Sequence, residues 1–227
     1  MLTGTIVNTA AVVIGTMIGL IVKKGLKENY AKAVIKAISM AVLIIGISGA
    51  LQTQNLLIVI GSLAVGTLLG TALKIEERLD RLGERLNQRF GRGDSPFVEG
   101  FVTASLIFCV GAMAVVGSIE SGLQGNHETL YAKSLLDGIT SLILASTLGV
   151  GVLFSAAAVL LYQGGITLLA AYLAPLLTEG VVTEMSAVGG ILILGLGLNI
   201  LELGKERIPV GNMLPAIFLP ILLLQIF

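Results

Sequence analysis

Residues 2–22, LTGTIVNTAAVVIGTMIGLIV, carry no ionisable side chain, and Lys23 and Lys24 follow at once. A helix needs about 20 mainly apolar residues to cross about 30 Å of hydrocarbon, so this stretch reads as a membrane span. No positive residue precedes it, so it does not read as a secretory leader. Similar runs recur at about 34–51, 56–73, 97–119, 135–157, 159–177, 185–201 and 210–227. The pattern predicts an all-α, polytopic transmembrane bundle of eight spans within one integral membrane domain, 1–227. Seven spans result if 159–177 is re-entrant, because Gln163-Gly164-Gly165 interrupts it and Pro175 ends it.

Composition supports that reading. The 227 residues are 55% hydrophobic and only 12% charged, against about 25% charged for an ordinary soluble domain. These figures exclude disorder and argue against a water-soluble fold. The 29 glycines have no collagen period; they suit helices that pack backbone to backbone in lipid.

Charge sets the expected orientation. Eleven of the 14 Lys and Arg fall in 23–36 and 74–92, which places both segments in the cytoplasm. With eight spans the loop Gly204–Pro209 (GKERIP) joins them inside. Glu179 and Glu184 then fall outside, as do both termini. Within 74–92, KIEERLDRLGERLNQRFGR, the residues Ile75, Leu79, Leu82, Leu86 and Phe90 make one helical stripe opposite the charges. This predicts an amphipathic helix lying on the membrane surface, with membrane lipids as its partner.

Internal repeats are expected from the pair Gly15-Thr16-Met17-Ile18-Gly19 and Gly66-Thr67-Leu68-Leu69-Gly70, followed by Lys23 and Lys74. A fainter echo relates Ser39–Gly49 to Ser186–Gly197, in opposite orientations. The G-T-x-x-G faces exceed the apparent needs of one small bundle and point to a homo-oligomer, with a symmetric dimer favoured.

Balanced charge gives no reason to expect nucleic acid as a partner. One His (His127, in a polar loop) and one Cys (Cys109) form no metal-ligand set, and no nucleotide-binding or nucleophile motif is present. No catalytic residues, metal or cofactor are expected, and the chain is not read as an enzyme. What remains is a sparse set of polar groups inside apolar runs, each costing about 2.5–3.5 kcal/mol if charged at a helix centre.

Asp137 leads that set, with Ser134, Thr140 and Ser141 within a turn. It reads either as a cation or proton site, or as an interfacial group paired with Lys133. Glu120 could face Asp137 across the loop or simply end its helix in water. Asn199 and Glu202 share a helix face, and Asn212 follows beside Pro215. These residues could line a polar pathway, or the asparagines could clamp a hairpin. Asn8 reads as interhelical glue or as part of a pathway.

Four blocks carry a resemblance: Phe108–Ser121 (FCVGAMAVVGSIES), Lys133–Ala156 (KSLLDGITSLILASTLGVGVLFSA), Gly195–Leu201 (GLGLNIL) and Gly211–Ala216 (GNMLPA). Together they resemble domain-of-unknown-function family 554, over nearly the whole chain. The resemblance implies a multi-pass protein of the bacterial inner membrane and supplies no substrate or functional residue. From the residues themselves the expected function is a transporter or channel for a small solute or ion, not driven by ATP. Asp137, Ser141, Glu120, Asn199, Glu202 and Asn212 are its candidate pathway. The alternative is a non-transporting scaffold or lipid-binding protein.

Overall fold

A computed structural model describes residues 1–25, 28–90, 97–203 and 206–225. The described residues are helices and their connections, without a strand: α1 (Thr3–Gly25), α2 (Glu28–Ala50), α3 (Leu56–Ala72), α4 (Ile75–Phe90), α5 (Phe97–Cys109), α6 (Ala112–Leu123), α7 (Glu128–Leu148), α8 (Gly151–Leu168), the short α9 (Ala170–Leu173) and α10 (Glu179–Ile200). The carboxyl-terminal segment joins α11 (Val210–Met213), a 3-10 turn (Leu214–Phe218) and α12 (Pro220–Leu223). The break falls where Pro215 removes a backbone donor.

Among the described residues four helices, α1, α2, α8 and α10, are long and apolar enough to cross a membrane. The count rises to six if two bent pairs each make one span: α3 with the start of α4, bent by 56°, and α5 with α6, bent by 58°. Eight spans are therefore not reached by length and composition. Lys133 and Asp137 lower the hydropathy of α7, and the apolar stretch Val210–Leu223 is short.

Two boundaries differ from the sequence expectation. The runs 135–157 and 159–177 are divided instead at Gly149, whose φ of 83° suits glycine. The chain is apolar on both sides of that turn, so hydropathy runs through it unbroken. The run 97–119 is likewise interrupted, at Gly111 with φ 155°. Gln163-Gly164-Gly165, by contrast, sits inside continuous α8.

Glycine decides how the helices meet, because lipid gives helices no hydrophobic drive to associate and van der Waals fit must supply it. A Cβ on Gly15 would overlap the Gly138 carbonyl and Ser141 Oγ, and one on Gly19 would overlap the Leu142 carbonyl. Thus α1 and α7 run parallel in near backbone contact. A Cβ on Gly66 would strike Ala216 and one on Gly70 the Asn212 carbonyl, so α3 packs antiparallel to the carboxyl-terminal segment. Gly46 and Gly49 rest on Gly190, and Gly197 on Leu43, which seats α2 antiparallel to α10. The two stretches of the faint echo thus lie in contact, and nothing in that contact makes them a repeat. The G-T-x-x-G motifs do one local job with differently directed partners, and these contacts do not extend the likeness to a repeated unit. Their faces are also filled from within the chain, so the glycines give no support to a dimer.

Among the described residues three apolar clusters result, a small one around Val115, Ile166 and Val182 and two larger ones. One of the larger pair joins α2, α3, α5, α10 and the carboxyl-terminal segment around Leu192 and Val188; the other joins α1, α5, α7 and α8 around Phe108 and Leu144. Of the described helices, only α5 gives buried residues to both of these larger clusters. Val102 and Leu106 enter the first while Ala104 and Phe108 enter the second, since two residues advance a helix by about half a turn.

Lys74, at φ 53°, turns the chain from α3 into α4. On α4, Ile75 and Leu79 are half-buried while Glu77, Arg78 and Arg81 are exposed, as the amphipathic pattern requires. Leu82, Leu86 and Phe90 lie outside the described side chains. If the glycine seams set the packing, Gly15→Val and Gly66→Val should each lower stability by about 1–3 kcal/mol through overpacking. Gly180→Ala, where a Cβ meets nothing within 4 Å, should leave thermal unfolding in detergent unchanged.

Candidate functional site

The α1–α7 seam places Asn8 beside Asp137. Asn8 Nδ2 donates to Asp137 Oδ2 at 2.9 Å and to Gln163 Oε1 of α8 at 3.3 Å. Lys133, one turn before Asp137, donates to its carboxylate at 2.8 Å. Asp137 is 5% exposed, Lys133 7%, and Asn8 and Gln163 not at all. Four side chains from three helices thus form a buried polar cluster, about 8–14 Å along α1, α7 and α8 from their shared end at 1.5 Å per residue.

The cluster keeps one part of the sequence reading of Asp137 and alters its setting. The pairing with Lys133 is present, but the pair is buried. The hydroxyls expected around Asp137 turn to their own helix instead: Ser134 donates to the Leu130 carbonyl and Ser141 to that of Gly138. Burying a lone carboxylate would be prohibitive, whereas a carboxylate held by an ammonium and an amide N–H is tolerable.

Glu120 does not face Asp137. It accepts the Thr129 hydroxyl at 2.7 Å, near the turn from α6 to α7. Close by, Ser121 donates to the Met1 carbonyl at 2.7 Å and lies 2.8 Å from His127 Nδ1. His127 is therefore engaged rather than free in a solvated loop.

Asn199, Glu202 and Asn212 gather at the opposite end, where two of them have structural tasks. Asn199 clasps the α10–α11 turn, donating to the Ile208 carbonyl and accepting from its N–H, both at 2.9 Å. Asn212 accepts the Glu76 N–H at 2.9 Å, and Glu76 accepts from Gly211 N–H at 2.5 Å. This exchange caps α4 from a distant segment, satisfying a helix-end donor as a local cap would. Glu202 is exposed and lines a cavity of about 300 Å³ with Glu99, Asn199, Glu206 and Arg207. Arg207 reaches Glu99 at 3.1 Å.

Glu184, expected in an outside loop, is 2% exposed. It accepts from the Thr53 hydroxyl at 2.7 Å and from the Gln54 and Asn55 N–H groups at 2.7 and 3.0 Å. Nothing in its own neighbourhood of sequence announces this; the binding turn lies some 130 residues away. Among the described residues no group of three His, Cys, Asp or Glu could hold a metal ion.

A family profile described as "Protein of unknown function (DUF554)" matches residues 3–225. The chain is similar to the uncharacterized membrane protein YdfK of Bacillus subtilis (strain 168), 36% identical over 221 residues that cover 96% of this chain and 93% of the relative. It is also similar to the uncharacterized protein YqgA of Escherichia coli (strain K12), 30% identical over 224 residues covering 96% and 94%. No solved structure matches the chain.

The buried pair makes a quantitative prediction. Lys133→Met alone leaves Asp137 uncompensated and should cost about 3–5 kcal/mol of stability. The double change Lys133→Met with Asp137→Leu should recover much of that loss in a detergent unfolding assay.

Proposed function

Because the chain belongs to the DUF554 family, whose relative YdfK is described as a membrane protein, we propose that it is a transporter or channel of the bacterial inner membrane. It moves a small solute or ion without ATP, through a path that includes Asp137. One observation carries this reading: a charged pair and two amide side chains are buried together where three helices meet, inside apolar segments. Membrane proteins keep such groups at substrate and ion pathways, because an apolar residue would serve packing at lower cost.

The proposed path of the chain has eight crossings. Its support is the direction of neighbours. α1 and α7 are parallel, α2 and α10 antiparallel, and α3 antiparallel to the carboxyl-terminal segment; alternate crossings of α1, α2, α3, α5–α6, α7, α8, α10 and Val210–Leu223 satisfy all three. Lys23, Lys74 and Arg207 then share one end, which the positive-inside rule makes cytoplasmic. Both termini face outward. Asp137 lies toward the outer leaflet and the Asn199–Glu202 cavity toward the inner, as two mouths of one path.

A lipid-binding or scaffolding role is the second reading, favoured by an apolar cavity of about 300 Å³ between α5, α8 and the carboxyl-terminal segment, with Leu79, Phe101, Leu106, Cys109, Tyr162 and Phe218 among its walls. No catalytic role is proposed.

Two measurements test the transport reading. Liposomes holding the full chain should pass at least one member of a broad ion and metabolite panel faster than empty vesicles, and Asp137→Asn should slow that flux. Equality of wild type, variant and empty vesicles across the panel would count against transport. A reporter enzyme fused after Phe227 and active only in the periplasm should work; activity only of a cytoplasmic reporter would remove the eight-crossing path.

A further inference from the structure

Resting on the transport reading, we propose that the buried cluster takes a small uncharged solute bearing both a hydrogen-bond donor and an acceptor, and not an ion.

The first argument is charge. Lys133 and Asp137 neutralise each other at 2.8 Å, and the Asn8 amide adds a further donor to the carboxylate. A cation entering here would have to displace the Lys133 ammonium, and an anion would meet the Asp137 carboxylate. In a low-dielectric interior either exchange strands a buried charge. A neutral dipole asks for no such exchange.

The second argument is which atoms remain unpaired. Asn8 uses Nδ2 on Asp137 and Gln163, which leaves its Oδ1 without a partner. Gln163 uses Oε1 on Asn8, which leaves its Nε2 without a partner. Thr5 and Thr167 add two unpartnered hydroxyls, and all four side chains are fully buried. Thr5 shares a face of α1 with Asn8, three residues on, and Thr167 shares a face of α8 with Gln163, four residues on. The two faces meet: Asn8 contacts Gln163, and a Cβ on Gly164 would stand 3.9 Å from Thr5 Cγ2. That contact is an ordinary one, looser than the overlaps of the α1–α7 seam.

Buried polar groups are nearly always satisfied, and four orphans on facing helices need an account. One acceptor, one amide donor and two hydroxyls of either sense complement an amide, a small polyol or water. A site built from such groups discriminates sharply between a solute that completes its hydrogen bonds and one that does not.

The test uses the full chain in liposomes, with stopped-flow light scattering after osmotic steps of urea, of glycerol and of impermeant sucrose. The sucrose step reads water. Potassium and chloride fluxes are measured in parallel. The expected result is accelerated passage of urea, glycerol or water with ion fluxes at the level of protein-free vesicles. Entry of urea or glycerol would identify an organic solute as the occupant, and acceleration of water alone would identify water. Thr5→Val and Thr167→Val remove unpartnered hydroxyls without changing shape, so both should fold as wild type does. Together they should slow the accelerated flux about tenfold, the size of two lost hydrogen bonds at the low end of their usual net worth. Ion flux without neutral-solute flux would overturn this inference and leave transport standing. Absence of every flux would remove the transport reading itself. Neutral flux indifferent to both valines would overturn the placement at α1 and α8. The selectivity of the wild type needs no variant, so the inference stays falsifiable even if a variant fails to fold.

Discussion

The near contact of α1 and α7 backbones governs the region around Asp137. Gly15 and Gly19 leave room for the Gly138 and Leu142 carbonyls, and only at that separation does Asn8 reach Asp137 at 2.9 Å. Apolar surface offers no drive to associate in lipid, so the seam depends on many small dispersion contacts and on the few polar bonds it permits. The two are coupled. Glycine brings the helices together, and the amide–carboxylate bond fixes their register.

Around this seam the molecule divides its polar groups by depth. The Asn8–Lys133–Asp137–Gln163 cluster sits inside the helices, toward the end that holds Met1 and Ser121. The opposite end carries Glu76, Glu99, Asn199, Arg207 and Asn212, whose bonds tie α4, α5, α10 and the carboxyl-terminal segment together. α5 joins the two larger apolar clusters, since its alternate faces feed both.

The sequence was most legible where periodicity and charge speak together. The stripe begun by Ile75 and Leu79 identified α4, and the isolation of Asp137 in an apolar run marked it as a residue needing explanation. Asn8 and Gln163 each stand out singly, but nothing local says that they touch. Legibility failed at Gly149 and Gly111, because apolar residues on both sides hide a helix break from any measure of hydropathy. It failed again at Glu184. Its fate depends on the turn Thr53–Asn55, which a tertiary contact alone brings near.

By itself, then, the sequence determined that this chain is helical and belongs in a membrane. Long uncharged runs can satisfy their backbones in lipid only as helices, and the clustering of Lys and Arg separates one set of loops from the other. Tertiary structure alone decided which polar groups meet. It gave Asp137 the company of Asn8 and Gln163 rather than Glu120, and turned Asn199 and Asn212 into clasps. It also turned the G-T-x-x-G faces inward. The reason is that a helix fixes neighbours only three or four residues apart. Partners more than a hundred residues away are chosen by which backbones can approach closely enough.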